Sequence, residues 1–509
     1  MLARIRSSLL QGIDALPCDV EVDLDPTDTR KELIVGLPDA AVKESLERVK
    51  AALMNSGFFP PVGRLLINLA PADVRKEGPV YDLPIAVGML MVGGMLRAEK
   101  DSPIDFAHTV FAGELALDGK VRPIKGALAL ASMARSLGAK AVVVPADNAD
   151  EAAIVAGIEV YGVRTIVEVI GLISRTLDLP PTPTPDIAGL LEATQAPIDF
   201  GEVRGQESVK RALTIAAAGA HNILLLGPAG TGKTMMAKAL SGVLPPLSPE
   251  EAIEITRIYS AAGALPPGQG VVTTRPVRSP HHTASAPAVV GGGIVPRPGE
   301  ISLAHRGVLF LDELAEFPRY VLETLRQPLE DHVVTISRAH GSIRFPASFM
   351  LVAAMNPTPK GDMPAGEVGR LAMERYLSKI SGPLLDRIDI HVEAPAVPWS
   401  ELSKRQRTGT DTATMRETAA QARLRQVKRQ GAAKPNSRLS GRELDEFAPM
   451  EMDAVSILGQ AMSELRLSAR AYDKIRRVAR TIADVDGSDE LRTPHVTEAV
   501  GYRLLDRKM

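Results

Sequence analysis

Along the first 175 residues, short β-rich runs alternate with helical patterns. Val20-Glu-Val-Asp-Leu24 alternates apolar and polar positions, which predicts a half-buried strand. From Ala40 to Met54 the apolar residues Ala41, Val42, Leu46, Val49 and Leu53 recur at helical spacing. Arg64–Leu69 and Ala141–Pro145 are compact apolar runs that suit buried strands. The most apolar stretch, Leu83–Leu96, is interrupted by glycines and is shorter than the ~20 residues a membrane helix needs, so it predicts a buried helix rather than a span. Leu179-Pro-Pro-Thr-Pro-Thr-Pro185 is poor in backbone donors and favours extended polyproline geometry, which marks a linker.

These patterns divide the chain into residues 1–175, a linker over 176–196, a central stretch 197–400 and a last segment 401–509. From about 400 to 435 the chain is strongly charged and reads as solvated helix and linker. The remainder has helical periodicity and almost no strand signal, so a small helical bundle is expected. Ser440 is placed to cap one of its helices. Thr493 is placed to cap another, with Pro494 as that helix's first residue.

Composition narrows the class without changing this picture. With 509 residues, two to four domains are expected. The 45% hydrophobic and 24% charged fractions are those of a soluble globular protein. A net charge of −2 advertises no global basic field for nucleic acid, although a ring can carry a local basic lining inside a neutral shell. Cys18 is the only cysteine, so the chain can form neither an internal disulfide nor a cysteine metal cluster. The first ten residues lack a long apolar core before a cleavage site and do not read as a signal peptide; a cytoplasmic location is expected.

The chemistry sits in the central stretch. The apolar run Ile223–Leu226 leads directly into Gly227, Pro228, Ala229, Gly230, Thr231, Gly232, Lys233 and Thr234, and a helical pattern follows. This is the phosphate-binding G-x-x-x-x-G-K-T loop in its strand–loop–helix setting. Backbone N–H groups and the helix N-terminus would cradle the phosphates of ATP. Lys233 would reach the β- and γ-phosphates, and Thr234 would coordinate Mg²⁺. A second apolar run, Val308–Leu311, ends in Asp312 and Glu313, where Asp312 can hold the Mg²⁺ shell and Glu313 can orient the attacking water.

Further polar positions fit the same site. A third run, Phe349–Met355, ends in Asn356, which suits a contact to the water or the γ-phosphate, or else a plain turn before Pro357. Arg387 lies in a short turn before another strand. It suits a finger donated in trans to a neighbouring subunit's ATP, or a surface ion pair with Asp386 or Asp389. Arg470 stands near the start of a helix from which it could reach the γ-phosphate. His281 and His282 have no carboxylate or further histidine at ligand spacing, so a loop contact fits them better than a metal.

Together these motifs resemble the magnesium-chelatase-like AAA+ ATPases, and within them the YifB/ComM subfamily of bacteria. The carrying segments are Phe200-Gly-Glu-Val-Arg-Gly-Gln206, the phosphate loop, Arg278–Ser285, Pro298–His305, Gly307–Leu314, Ser381–Val392 and Ala479–Asp484. They lie in order, and with the N-terminal stretches below they span nearly the whole chain. The resemblance implies an α/β fold: an AAA+ ATPase core, an N-terminal Lon-protease-like (ribosomal-S5-like) domain and a C-terminal helical lid. It implies Val203 and Gln206 near the adenine, Asn356 as sensor 1, Arg387 as arginine finger and Arg470 as sensor 2, in a homo-oligomeric ring, expected as a hexamer. ComM-like members are linked to DNA branch migration during uptake and recombination of transforming DNA.

Two departures stand out. Arg75-Lys-Glu-Gly-Pro-Val-Tyr-Asp82 parallels the loop bearing the Lon catalytic serine, yet Val80 occupies the serine position, and Leu128 stands where the lysine is expected. A Ser–Lys dyad needs both groups, so no peptide cleavage is expected. Many relatives also carry a cysteine-rich cluster after the sensor-1 Asn-Pro, where this chain reads Asn356-Pro-Thr-Pro-Lys-Gly-Asp362. Finally, Val333–Phe345 predicts a hairpin around Arg338-Ala-His-Gly341. In related AAA+ helicases such a hairpin points into the central pore. Arg338, His340 and Arg344 would then meet DNA without sequence preference, the alternative being a structural hairpin with solvated arginines.

Overall fold

The computed structural model describes residues 2–27, 32–97, 102–192, 198–266, 268–293, 295–338, 341–358, 376, 378–399, 409–503 and 505. It contains two compact units. The first comprises residues 1–190 with 248–273, and the second 191–247 with 274–509. Among the described residues, no helix is long and apolar enough to cross a membrane.

The first unit is built on a seven-stranded sheet. Its strands are β1 (Leu2–Gln11), β2 (Asp14–Asp25), β3 (Leu33–Val35), β4 (Arg64–Ala70), β5 (Thr109–Phe111), β8 (Ala141–Pro145) and β9 (Glu159–Val163), in the order β3-β4-β2-β1-β5-β8-β9. A small hairpin, β6 (Glu114–Leu115) with β7 (Val121–Arg122), stands apart. The apolar run at Leu83 is a helix, Asp82–Val92, buried almost all round, as its lack of a polar face requires. It lies close on the sheet: a Cβ on Gly88 would stand 2.6 Å from Val22 Cγ2. Its first residue, Asp82, is fully buried and accepts from Arg48 Nε at 2.7 Å and from the Leu115 N–H at 3.1 Å. Burial raises the Asp82 pKa, and Arg48 opposes that rise.

The helix Pro249–Ala262, opened by a Ser248–Glu251 capping box, also belongs to this unit although it follows the phosphate loop in sequence. Its Ser260 carbonyl accepts the Gly126 N–H at 3.1 Å, and Arg257 Nε donates to the Ile13 carbonyl at 3.1 Å. Within the proline-rich stretch, the Thr182 N–H donates to Val160 of β9 at 2.7 Å. A short helix, Ile187–Glu192, follows.

The second unit holds a five-stranded parallel sheet of β10 (Ile223–Leu226), β11 (Val277–Arg278), β14 (Val308–Leu311), β17 (Met350–Met355) and β18 (Ile390–Glu393), in the order β11-β14-β17-β10-β18. Strand β10 therefore sits between β17 and β18, while the chain leaving it travels to the far edge. In such sheets ligands bind beyond the carboxyl ends of the strands where the order reverses. Two ribbons complete the strands: β12 (Gly291–Gly292) with β13 (Arg297–Pro298), and β15 (Val333–Arg338) with β16 (Gly341–Pro346). The pattern read as one helix over Pro318–Glu330 forms two, Arg319–Glu323 and Arg326–Asp331. Pro328 has no N–H to donate to Thr324 and crowds that carbonyl, so the turn between them cannot be α-helical.

The last segment is helical: Thr412–Gln430, Gly441–Phe447, Met452–Glu464, Ala469–Asp486 and Thr493–Gly501. Ser440 caps its helix through a capping box with Glu443. Thr493, by contrast, is the first helical residue rather than the cap. Arg492 takes the cap position, with its N–H donated to His495 Nδ1 at 3.0 Å, so Pro494 moves to the second position. The bundle closes over a buried polar network in which Asp484 accepts from Arg429, Arg480 and Asn436. Arg480 and Asp484 are 0% and 1% exposed, so each charge relies on the other.

Candidate functional site

Three strand ends bring the site together. Leu226 of β10 is in register with Met355 of β17, which sets Gly227 beside Asn356; the Gly227 N–H donates to the Met355 carbonyl at 3.2 Å. Leu311 of β14 pairs with Ala353, so Asp312 emerges on the same edge. Lys233, buried at the start of the helix Lys233–Ala239, donates through Nζ to the carbonyls of Gly227 and Pro228, both at 2.8 Å, and to Asn356 Oδ1 at 3.1 Å. Burial lowers the Lys233 pKa, with Asp312 opposing. Thr234 Oγ1 donates to Asp312 Oδ2 at 2.6 Å.

The loop's glycines explain its shape. A Cβ on Gly227 would lie 2.1 Å from the Ala394 carbonyl oxygen. Gly230 and Gly232 have φ of +80° and +84°, and a Cβ on Gly230 would meet nothing within 4 Å. Pro228 is half-buried, Ala229 and Gly230 are exposed, and Thr231 Oγ1 donates to the Pro228 carbonyl at 3.1 Å. The result is a backbone cradle with open space above it and a buried ammonium at its base. Beside it stand a hydroxyl and a carboxylate already in contact, the hard oxygen donors that Mg²⁺ takes. These residues fit a nucleotide triphosphate with its metal.

Glu313 follows Asp312 with φ +51°, a left-handed conformation uncommon for a non-glycine residue, and its N–H donates to Asp312 Oδ1 at 3.0 Å. Its half-exposed carboxylate lies 3.4 Å from His282 Nδ1. That proximity has no sequence signal, because His282 comes from the loop after β11. Among the described residues there is no cluster of ligand-type side chains that could hold a metal by themselves.

Val203 and Gln206 are both buried just ahead of the helix Glu207–Gly219, with Gln206 at its N-cap. Gln206 takes a left-handed backbone at φ +62° and donates through Nε2 to the Pro395 carbonyl at 2.6 Å, two residues beyond the end of β18.

Arg387 and Arg470 form a separate group. Arg387 pairs with Glu330, rather than with Asp386 or Asp389, and also donates to the Pro383 carbonyl at 2.5 Å. Arg470 is exposed, with Nη1 4.0 Å from the Asp386 carboxylate. Both arginines draw the Glu330 pKa down, Arg387 more strongly through its hydrogen bond. One turn along the helix from Arg470, the Lys474 ammonium bonds to the Asp386 carbonyl and lies 3.3 Å from the Asp389 carboxylate. Both arginines thus contact the turn over residues 383–386, while the hydrogen bonds of Lys233 go to Gly227, Pro228 and Asn356. In the hairpin, Arg344 is exposed and opposite Thr335. Arg338 ends β15, and its side chain lies outside the described residues, as does His340. Residues 359–375, beyond Asn356-Pro-Thr, also lie outside them.

Comparison with known proteins follows the same three segments. Residues 4–148 match the family described as subunit ChlI of Mg-chelatase, 199–402 match magnesium chelatase, subunit ChlI, and 409–503 match its C-terminal family. The chain is 43% identical over 513 residues to the Uncharacterized protein YifB of Escherichia coli (strain K12), covering 99% of this chain and 98% of that one. It is 41% identical over 515 residues, with the same coverage, to the Competence protein ComM of Haemophilus influenzae. The Magnesium-chelatase 38 kDa subunit of Rhodobacter capsulatus is 30% identical over 189 residues, 33% of this chain and 53% of that subunit. Similarity that runs the full length of both chains shows that this protein belongs to the YifB/ComM family of magnesium-chelatase-like AAA+ proteins.

Proposed function

We propose that the protein hydrolyses ATP between the subunits of a homo-oligomeric ring, a hexamer, in the cytoplasm, and couples hydrolysis to movement along DNA. The observation that carries the ATPase reading is the convergence of Lys233, Thr234, Asp312 and Asn356 on one sheet edge, with direct contacts between them. Lys233 would exchange its carbonyl partners for the β- and γ-phosphate oxygens, and Asn356 would hold its ammonium in line. Mg²⁺, held by Thr234 and Asp312, would neutralise charge on those oxygens. Glu313 would orient the water on the γ-phosphate.

Arg387 and Arg470 share one surface with Glu330, which supports their donation together to a neighbour's ATP. Each arginine would give up its carboxylate for the phosphate charge that develops there. The hairpin β15–β16 with exposed Arg344 supports a DNA contact through phosphates, as does the full-length similarity to a competence protein. The test is ATP turnover by the purified protein with single-stranded, duplex and forked DNA, beside unwinding assays at low salt.

A second reading, a chelatase-like or protein-remodelling ATPase, is favoured by the chelatase-type domain matches. It predicts turnover stimulated by a protein partner and indifferent to DNA.

A further inference from the structure

We infer that His282 is a positioning residue for Glu313, setting the direction of the carboxylate that aligns the attacking water. The inference rests on the ATPase reading above. His282 Nδ1 lies 3.4 Å from Glu313 Oε2. That is longer than an ideal N–H···O bond of ~2.9 Å, but catalytic hydrogen bonds commonly tighten only when substrate completes the site.

Three features make the contact a built one. The imidazole has two ring neighbours, His281 tilted by 33° with centroids 4.1 Å apart and Phe317 edge-on at 6.4 Å. His281 is in turn anchored, Nδ1 to Thr283 Oγ1 at 2.9 Å. On the other side, the Glu313 backbone is fixed by its left-handed conformation and by its N–H bond to Asp312 Oδ1. What remains to be set in Glu313 is the side chain, and among the described residues His282 makes an ionic contact to its carboxylate. A donor at Nδ1 restricts the rotamers of a half-exposed glutamate that solvent would otherwise leave mobile. The loop that carries His282 leads through the short helix Ala286–Val290, capped by Ser285, to the β12–β13 ribbon, so a movement of that loop would reach the water-orienting carboxylate.

The experiment compares wild type, Glu313→Gln, His282→Ala, His282→Gln and the double variant Glu313→Gln/His282→Ala in steady-state ATP turnover, with ATP affinity measured by equilibrium binding. His282→Ala should lower kcat between about 10- and 100-fold, the cost of a misplaced catalytic group, with KM and ATP affinity unchanged. His282→Gln, which keeps an N–H donor within reach, should recover most of the rate. In the Glu313→Gln background His282→Ala should cost nothing further, because its effect passes through that carboxylate. The inference is overturned if His282→Ala turns over within twofold of wild type or faster. It is equally overturned if the loss appears as weakened ATP binding, if glutamine fails to rescue, or if the double variant is slower than Glu313→Gln alone. A wild type with no turnover above Glu313→Gln would instead defeat the ATPase reading on which the inference stands.

Discussion

Replacing Gly227 by alanine tests how the phosphate cradle is made. The new Cβ would stand 2.1 Å from the Ala394 carbonyl oxygen and 3.0 Å from its carbon. A carbon–oxygen contact settles near ~3.3 Å, so about 1 Å must open between the loop and the segment leaving β18. Neither side can turn away. The Gly227 N–H is bonded to Met355, and the Ala394 N–H to Leu226 at 2.7 Å. Overpacking of this kind costs about 1–3 kcal/mol of stability. A shift of about 1 Å at the start of the loop carries Lys233 with it and should cut turnover by up to ~100-fold. Gly230→Ala is the control: its Cβ points into open space, so only the left-handed backbone, about 1–2 kcal/mol, is charged against it. Urea unfolding and steady-state ATP turnover measure the two effects. A Gly227→Ala protein with wild-type stability and turnover within twofold of wild type would refute the steric argument.

Other outcomes follow from the same geometry. Asp484→Ala leaves Arg480 buried without its carboxylate and should destabilise the helical segment by about 3–5 kcal/mol in urea unfolding. His391 is buried beside Asp389, Lys474 and Arg503 with neither ring nitrogen hydrogen-bonded, and burial, then Arg503 and Lys474, hold its pKa well below the ordinary value. Only the unfolded chain takes up that proton as the pH falls through about 6.5, so stability should decline below that pH. His391→Leu should flatten the decline without loss at pH 8, and an unchanged acid limb would contradict this. Arg387→Ala should lower turnover by roughly 10³-fold or more. Mixing it with Lys233→Ala should restore part of the rate, because each supplies what the other's interface lacks; mixtures no more active than the separate variants would exclude donation in trans.

The geometry of the candidate phosphate site was legible because its signals are local. A strand, a glycine loop and a helix start are contiguous from Ile223 to Ala239, and the strand ends at Asp312 and Asn356 follow from apolar runs. The contacts that were not legible are tertiary. Nothing around Pro249–Ala262 marks it as part of the first unit, since its partners Gly126 and Ile13 lie far away in sequence. The meeting of His282 with Glu313, of Arg387 with Glu330 and of Arg470 with Asp386 depends on tertiary packing of segments far apart in sequence. The shift of the last helix cap from Thr493 to Arg492 turned on His495 accepting a backbone N–H, which spacing alone does not announce.

The most direct measurement is steady-state ATP hydrolysis by the full-length protein, with and without single-stranded, duplex and forked DNA, against Glu313→Gln as the blank. A rate above the blank that rises several-fold with DNA is the predicted result. Hydrolysis indifferent to every DNA would contradict coupling to DNA, and a rate equal to the Glu313→Gln blank would contradict the ATPase itself.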